Sequence, residues 1–201
     1  PQTDIPLGNC IPLGEISVPL SSVQKAEKLI LEVSSGSFSN SWDIWVYPTQ
    51  KEKITGVDKI KIVSTLDPAT CNYLENGGSV LLSLKKGTLK PEFGGDVKIG
   101  FSSIFWNTAW THGQAPNTLG ILCNPEHPAL ANFPTEYYSN WQWWDAMSHS
   151  NAIELNKLSP EIKPIVRAID DWVTNRPLAL LFELKIGKGK LLVSGIDLNQ
   201  D

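Results

Sequence analysis

Three groups of side chains in this 201-residue sequence have types and spacings that invite chemistry. Cys123 stands just before Glu126 and His127, a thiol with a carboxylate and a base near it in sequence. Nucleophilic catalysis needs the nucleophile exposed at a sharp turn, a base within hydrogen-bond reach and a third group to orient that base. The sequence has no Gly-x-Ser-x-Gly or Gly-x-Cys-x-Gly elbow, Pro128 follows His127, and Cys71 falls inside an expected helix, so no catalytic residue is assigned. His112, His127 and His149, with Glu136 and Asp145, are the available metal ligands, and the histidines lack the i, i+4 spacing of a zinc-protease helix, so no metal is expected. Glycosidic cleavage needs two carboxyl groups roughly 5–9 Å apart. Glu126, Glu136, Asp145, Asp170 and Asp171 are the candidates, but sequence places no two of them face to face, and exposed or helix-capping roles are the plainer reading.

The densest signal is aromatic. Five of the eight tryptophans, Trp106, Trp110, Trp141, Trp143 and Trp144, lie between Phe105 and Trp144, among Asn107, His112, Gln114, Asn117, Glu136, Asn140 and Gln142. A flat ring beside a planar amide suits a sugar, which offers an apolar C–H face and a rim of hydroxyls. The candidate carbohydrate contacts are Trp106, Asn107, Trp110, His112, Gln114 and Trp143. The competing reading is packing in an interdomain seam, since an indole brings large apolar area and needs one hydrogen-bond partner.

The elements that must position these residues fall into two stretches, 1–50 and 51–201. The first reads as strands at Glu15 to Leu20, Lys28 to Val33 and Trp42 to Tyr47, with the Ser- and Gly-rich stretch from Ser34 to Ser41 connecting the last two. In the third, period two puts Trp42, Ile44 and Val46 on one face and Asp43, Trp45 and Tyr47 on the other. In the second stretch, Ile60 to Ser64 is an apolar strand. Asp67-Pro68 supplies a helix cap with Pro at the first helical position, and Gly77-Gly78 stops that helix before a strand at Val80 to Leu84. This is a βαβ unit, which predicts a parallel sheet. The turn after its first strand, Ser64-Thr65-Leu66-Asp67-Pro68, lacks the glycines that let backbone approach a phosphate, so neither nucleotide nor other cofactor is expected.

From Lys85 to Leu130 no periodicity stands out. Ser139 to Met147 reads as a helix with a Ser139–Gln142 capping box, Tyr138 stapled on Trp143, and Trp141 and Trp144 on a face away from Trp143. The tail holds strands at Ile165 to Ile169, Leu178 to Lys185 and Lys190 to Ile196, the last two forming a hairpin.

A composition of 41% hydrophobic and 19% charged residues is that of a globular chain. With a formal charge of −4 and no Lys/Arg cluster, the chain lacks the means to neutralise phosphates, so nucleic-acid partners are not expected. No apolar run approaches the roughly 20 residues of a membrane span, so membrane insertion is not expected either. Cys10, Cys71 and Cys123 are odd in number and far apart, and read as buried free thiols. Both ends, at Pro1-Gln2-Thr3-Asp4 and after Leu198, read as cut, which makes a missing signal peptide uninformative.

Four runs carry a more specific resemblance. Ser39-Asn40-Ser41-Trp42-Asp43-Ile44-Trp45-Val46-Tyr47-Pro48, Leu74-Glu75-Asn76-Gly77-Gly78-Ser79-Val80-Leu81-Leu82, Phe105-Trp106-Asn107-Thr108-Ala109-Trp110, and His127-Pro128-Ala129-Leu130 through Asn140-Trp141-Gln142-Trp143-Trp144 make up the pattern. It resembles the C-terminal region of family 2, β-galactosidase-like bacterial glycoside hydrolases, from about Leu13 to Leu198. The resemblance implies the end of a β-sandwich over 1–50 and, over 51–201, an α/β domain with the flavodoxin-like, class I glutamine-amidotransferase-like fold, a mostly parallel sheet with an antiparallel edge. It further implies a periplasmic or extracellular protein whose partners are the other domains of the parent hydrolase, with oligosaccharide as a candidate ligand. The parent's catalytic acid and nucleophile would lie in a TIM barrel, which 201 residues without eight βα units cannot contain. The amidotransferase elbow is missing too. The expected role is therefore that of a non-catalytic accessory region packing against or completing the catalytic module, with a carbohydrate-binding module as the alternative.

Overall fold

The computed structural model describes residues 6–49, 59–101 and 116–198. The chain divides into two compact units, Pro1–Pro48 and Thr49–Asp201.

The first unit is built on one antiparallel hairpin, β1 (Glu27–Ser35) and β2 (Phe38–Val46). Ser35 pairs with Phe38, leaving Gly36 and Ser37 as the turn, and Gly36 has φ +59°, which a two-residue loop with glycine first accommodates without a Cβ clash. The pairs Leu29–Ile44 and Leu31–Trp42 put apolar side chains on one face together with Val33 and Phe38, and that face is exposed, with Phe38 at 81%. The expected strand from Glu15 to Leu20 carries no regular secondary structure, so the described part of this unit is a hairpin rather than the three strands read from the sequence.

The second unit holds a mixed sheet. Its strands are β3 (Ile60–Val63), β4 (Ser79–Ser83), β5 (Ile121–Cys123), β6 (Ile153–Glu154), β7 (Pro164–Ile169), β8 (Pro177–Ile186) and β9 (Gly189–Ser194), in the order β3-β4-β9-β8-β7-β5 with β6 against β8. The βαβ unit forms where the sequence places it. Asp67 Oδ1 accepts from the Thr70 backbone N–H at 2.6 Å and Pro68 opens α1 (Pro68–Glu75). Beyond α1, Gly77 takes the left-handed conformation with φ +103°. Leu74 is fully buried among Val80, Leu82, Leu191, Val193 and Phe182, so α1 covers one face of β4, β9 and β8. On the other face of these strands Ile62, Leu81 and Leu192 fall in line, and Ile60 and Ile62 are exposed. A second core joins β5, β7 and β8 to Trp143 and Met147.

The flavodoxin-like, amidotransferase-like arrangement is overturned by the sheet itself. Only β3–β4 and β4–β9 run parallel; β9–β8, β8–β7, β7–β5 and β6–β8 are all antiparallel. Among the described residues there are two α-helices, α1 and the short α2 (Trp144–Ser148), and the unit is mostly β. The cause lies in the connections. A parallel neighbour needs a crossover of a dozen or more residues, usually helical. Gly187-Lys188 joins β8 to β9 and residues 170–176 join β7 to β8, and both links are too short to return the chain to its starting end.

Candidate functional site

The register brings the ends of several strands to one edge of the sheet. Ser83, Ser194 and Leu181 stand side by side where β4 and β9 end. Beyond Leu181, β8 runs back to Leu178 and Pro177, which pair with Ala168 and Ile169, and Ile121 pairs with Ala168. The 170–176 loop and the chain at 117–120 therefore leave the sheet at the edge where its parallel strands end.

At this edge lies a cleft of about 350 Å³ lined by Ile99, Gly100, Phe101, Asn117, Trp144, Met147 and Ser148. Its aromatic strip is a pair: the rings of Phe101 and Trp144 are 7° from parallel with centroids 5.6 Å apart, an offset stack. The backbone beside Phe101 is fixed by Thr118, fully buried, whose Oγ1 accepts from Gly100 N–H and donates to Gly100 O, both at 2.9 Å. A Cβ on residue 100 would stand 3.0 Å from Asn117 Cβ and 3.2 Å from its Nδ2, so glycine there lets the Asn117 amide lie against the backbone.

The tryptophans divide as the helical spacing predicts, and the sugar-contact candidate Trp143 lies on the inward side. A 3-10 turn at Trp141–Trp143, whose N-cap Asn140 accepts from the Trp141 N–H at 2.8 Å, runs into α2. Trp141 and Trp144 are 63% and 66% exposed, whereas Trp143 is 1% exposed. Trp143 packs edge-on against Phe133 at 4.8 Å and its Nε1–H donates to Thr135 Oγ1 at 2.8 Å, so its one polar group is satisfied inside the core. It cannot stack on a sugar. The expected capping box is also replaced: Ser139 Oγ accepts from Ile121 N–H and Gln142 donates to Pro134 O. Trp106, Asn107, Trp110, His112 and Gln114 lie outside the described residues.

Two polar clusters flank the cleft along the same edge. In one, the Lys86 ammonium donates to Ser150 O, its backbone N–H to Asp197 Oδ2 at 3.0 Å, and the Gly87 N–H to Asn151 Oδ1 at 3.0 Å. Burial lowers the Lys86 pKa below that of an ordinary lysine. In the other, Asp170 accepts from Arg176 N, Nε and Nη2 at 2.7, 2.9 and 3.1 Å. Asp171 Oδ1 accepts from Val173 N–H and Thr174 N–H, which closes the loop and presents Trp172 and Val173 to solvent.

Two family profiles match the sequence. One, described as a domain of unknown function (DUF8487), covers residues 61–201. The chain belongs to this family. The other, also a domain of unknown function (DUF8488), covers residues 1–48, the same stretch as the first structural unit. No curated protein matches the chain.

Within the DUF8487 region the groups that suggested chemistry are occupied structurally. Cys123 Sγ lies 3.1 Å from Glu136 O as its donor, and burial pushes the thiol pKa up, away from the thiolate that a nucleophile requires. His127 Nδ1 accepts from Ala129 N–H at 3.2 Å and so caps the 3-10 turn at Pro128–Leu130. His149 turns Nδ1 to Asp145, 3.1 Å from its backbone oxygen and 3.3 Å from Oδ1. Among the described residues no three His, Cys, Asp or Glu side chains converge as a metal site would need. The cleft residues Phe101, Ser148 and Trp144 were not chosen from the sequence. The signal that could have found Trp144 was the face it shares with Trp141; none pointed to Phe101 or Ser148.

Proposed function

We propose that this chain is a non-catalytic accessory region of a family 2-like, β-galactosidase-like glycoside hydrolase acting on polysaccharide or glycan, secreted to the periplasm or cell exterior. The DUF8487 region offers the glycan a surface at the Trp144 cleft, and the chain packs against other modules of the parent enzyme. The observation that carries the reading is the 66% exposed Trp144, stacked with Phe101 in a cleft of about 350 Å³ that Asn117 also lines. Packing is supported by the exposed apolar faces of the β1–β2 hairpin and of β3, because exposed apolar patches mark contact surfaces.

Titration of the chain with a broad panel of neutral and acidic oligosaccharides, followed by intrinsic tryptophan fluorescence and calorimetry, tests the reading. Saturable binding at millimolar concentration is expected, without release of reducing ends or of nitrophenol from nitrophenyl glycosides. Turnover by the chain would overturn the non-catalytic role. Silence across the whole panel would overturn the sugar-facing surface.

A further inference from the structure

Resting on the sugar-facing reading of the cleft, we propose that its ligand is a neutral pyranose, carrying neither carboxylate nor sulfate. Among the described residues the lining holds no ionisable side chain. Its polar groups are the Asn117 amide and the Ser148 hydroxyl, and among the described residues neither side chain makes a hydrogen bond. An amide and a hydroxyl both donate and accept, which matches sugar hydroxyls that do the same. An anionic sugar entering here would lose hydration with no cation to replace it, a loss that buried charges recover only from a paired partner.

Among the described residues no cation lies in the lining, and Lys98, next to Ile99 in sequence, is exposed to solvent outside it. The described stretches that carry the lining here, 99–101 and 116–125, contain no Asp, Glu, Lys, Arg or His. The ionisable residues that border the lining segments are Lys98, before Ile99, Asp145, after Trp144, and His149, after Ser148, the last two 3.3 Å apart. Of the cations elsewhere on this edge, Arg176 is held by Asp170 and Lys86 donates to Ser150 O. Recognition therefore rests on stacking against the Phe101–Trp144 strip and on uncharged hydrogen bonds, and Thr118 preorganises the wall that presents Asn117.

The test is a comparison of matched pairs on the full chain: galactose, glucose and xylose oligosaccharides against galacturonic, glucuronic and sulfated counterparts. Neutral members are expected to bind and the anionic ones to bind at least about tenfold more weakly, about 1.4 kcal/mol. Trp144→Ala is expected to weaken neutral binding by a similar factor with circular dichroism unchanged, and Asn117→Ala to do likewise. Preference for the anionic members would overturn this inference and leave the sugar-facing reading standing, whereas absence of binding to either class would remove both. Neutral binding indifferent to both Trp144→Ala and Asn117→Ala would place the ligand elsewhere and also overturn it.

Discussion

At the scale of single residues, the most constrained side chain on the candidate edge is Asp170. Its side chain is 2% exposed and takes three hydrogen bonds from Arg176. Burial alone would raise its pKa, but the side-chain and backbone hydrogen bonds from Arg176 outweigh that and hold it below the usual carboxylate value. A folded-state pKa below the unfolded one, about 3.9, contributes stability that is complete above that pH and is lost as pH falls through the folded value. Asp170→Asn is therefore expected to cost about 3 kcal/mol at neutral pH, the lower end for breaking a buried pair because Arg176 keeps some contact with water. Urea unfolding at neutral pH and again well below pH 4 checks this. The two proteins should converge in acid, and an equal gap at both pH values would show that the carboxylate charge is not what matters. The tryptophans mark how far such detail was legible in the sequence. The face split of Trp141 and Trp144 from Trp143 follows from helical spacing, but which face turns inward depends on Thr135 and Phe133, residues that no local pattern ties to Trp143.

At the scale of elements, signals local in sequence are readable, whereas strand direction is not. The Asp67-Pro68 cap, the Gly77-Gly78 stop and the β8–β9 hairpin are each written in a few adjacent residues and form where expected. Parallel or antiparallel pairing is not a property of a strand's own residues; it is set by the link between strands. The short links around β8 therefore override the parallel order that the βαβ unit suggests. A contact equally invisible in sequence joins these parts. Gly189 opens β9 where α1 ends, and a Cβ on it would lie 2.2 Å from Leu74 O and 2.5 Å from Gly78 O, both backbone atoms that cannot swing aside. Gly189→Ala is expected to cost about 1–3 kcal/mol by forcing α1 away from the sheet. A lowered urea midpoint with an unchanged slope would bear this out, and an unchanged midpoint would mean that the backbone yields without penalty.

At the scale of the whole molecule, the two units differ in what could hold each of them together. Both hydrophobic core clusters are drawn from the second unit, from Val63 to Ile196, while in the first unit Val23 is the buried hydrophobic residue among those described. A lone two-stranded hairpin is at best marginally stable in water, because two strands bury too little apolar area to offset the entropy of ordering them. β1 and β2 also leave much of their apolar face exposed. Residues 49–201 expressed alone are therefore expected to unfold in one cooperative transition within a few degrees of the full chain, and residues 1–48 alone to show no cooperative melt by calorimetry or circular dichroism. Loss of the transition in the 49–201 fragment would mean that its core depends on the hairpin. A sharp melt of the 1–48 fragment would mean that the exposed face finds a partner in another copy, which a sedimentation profile rising with concentration would reveal.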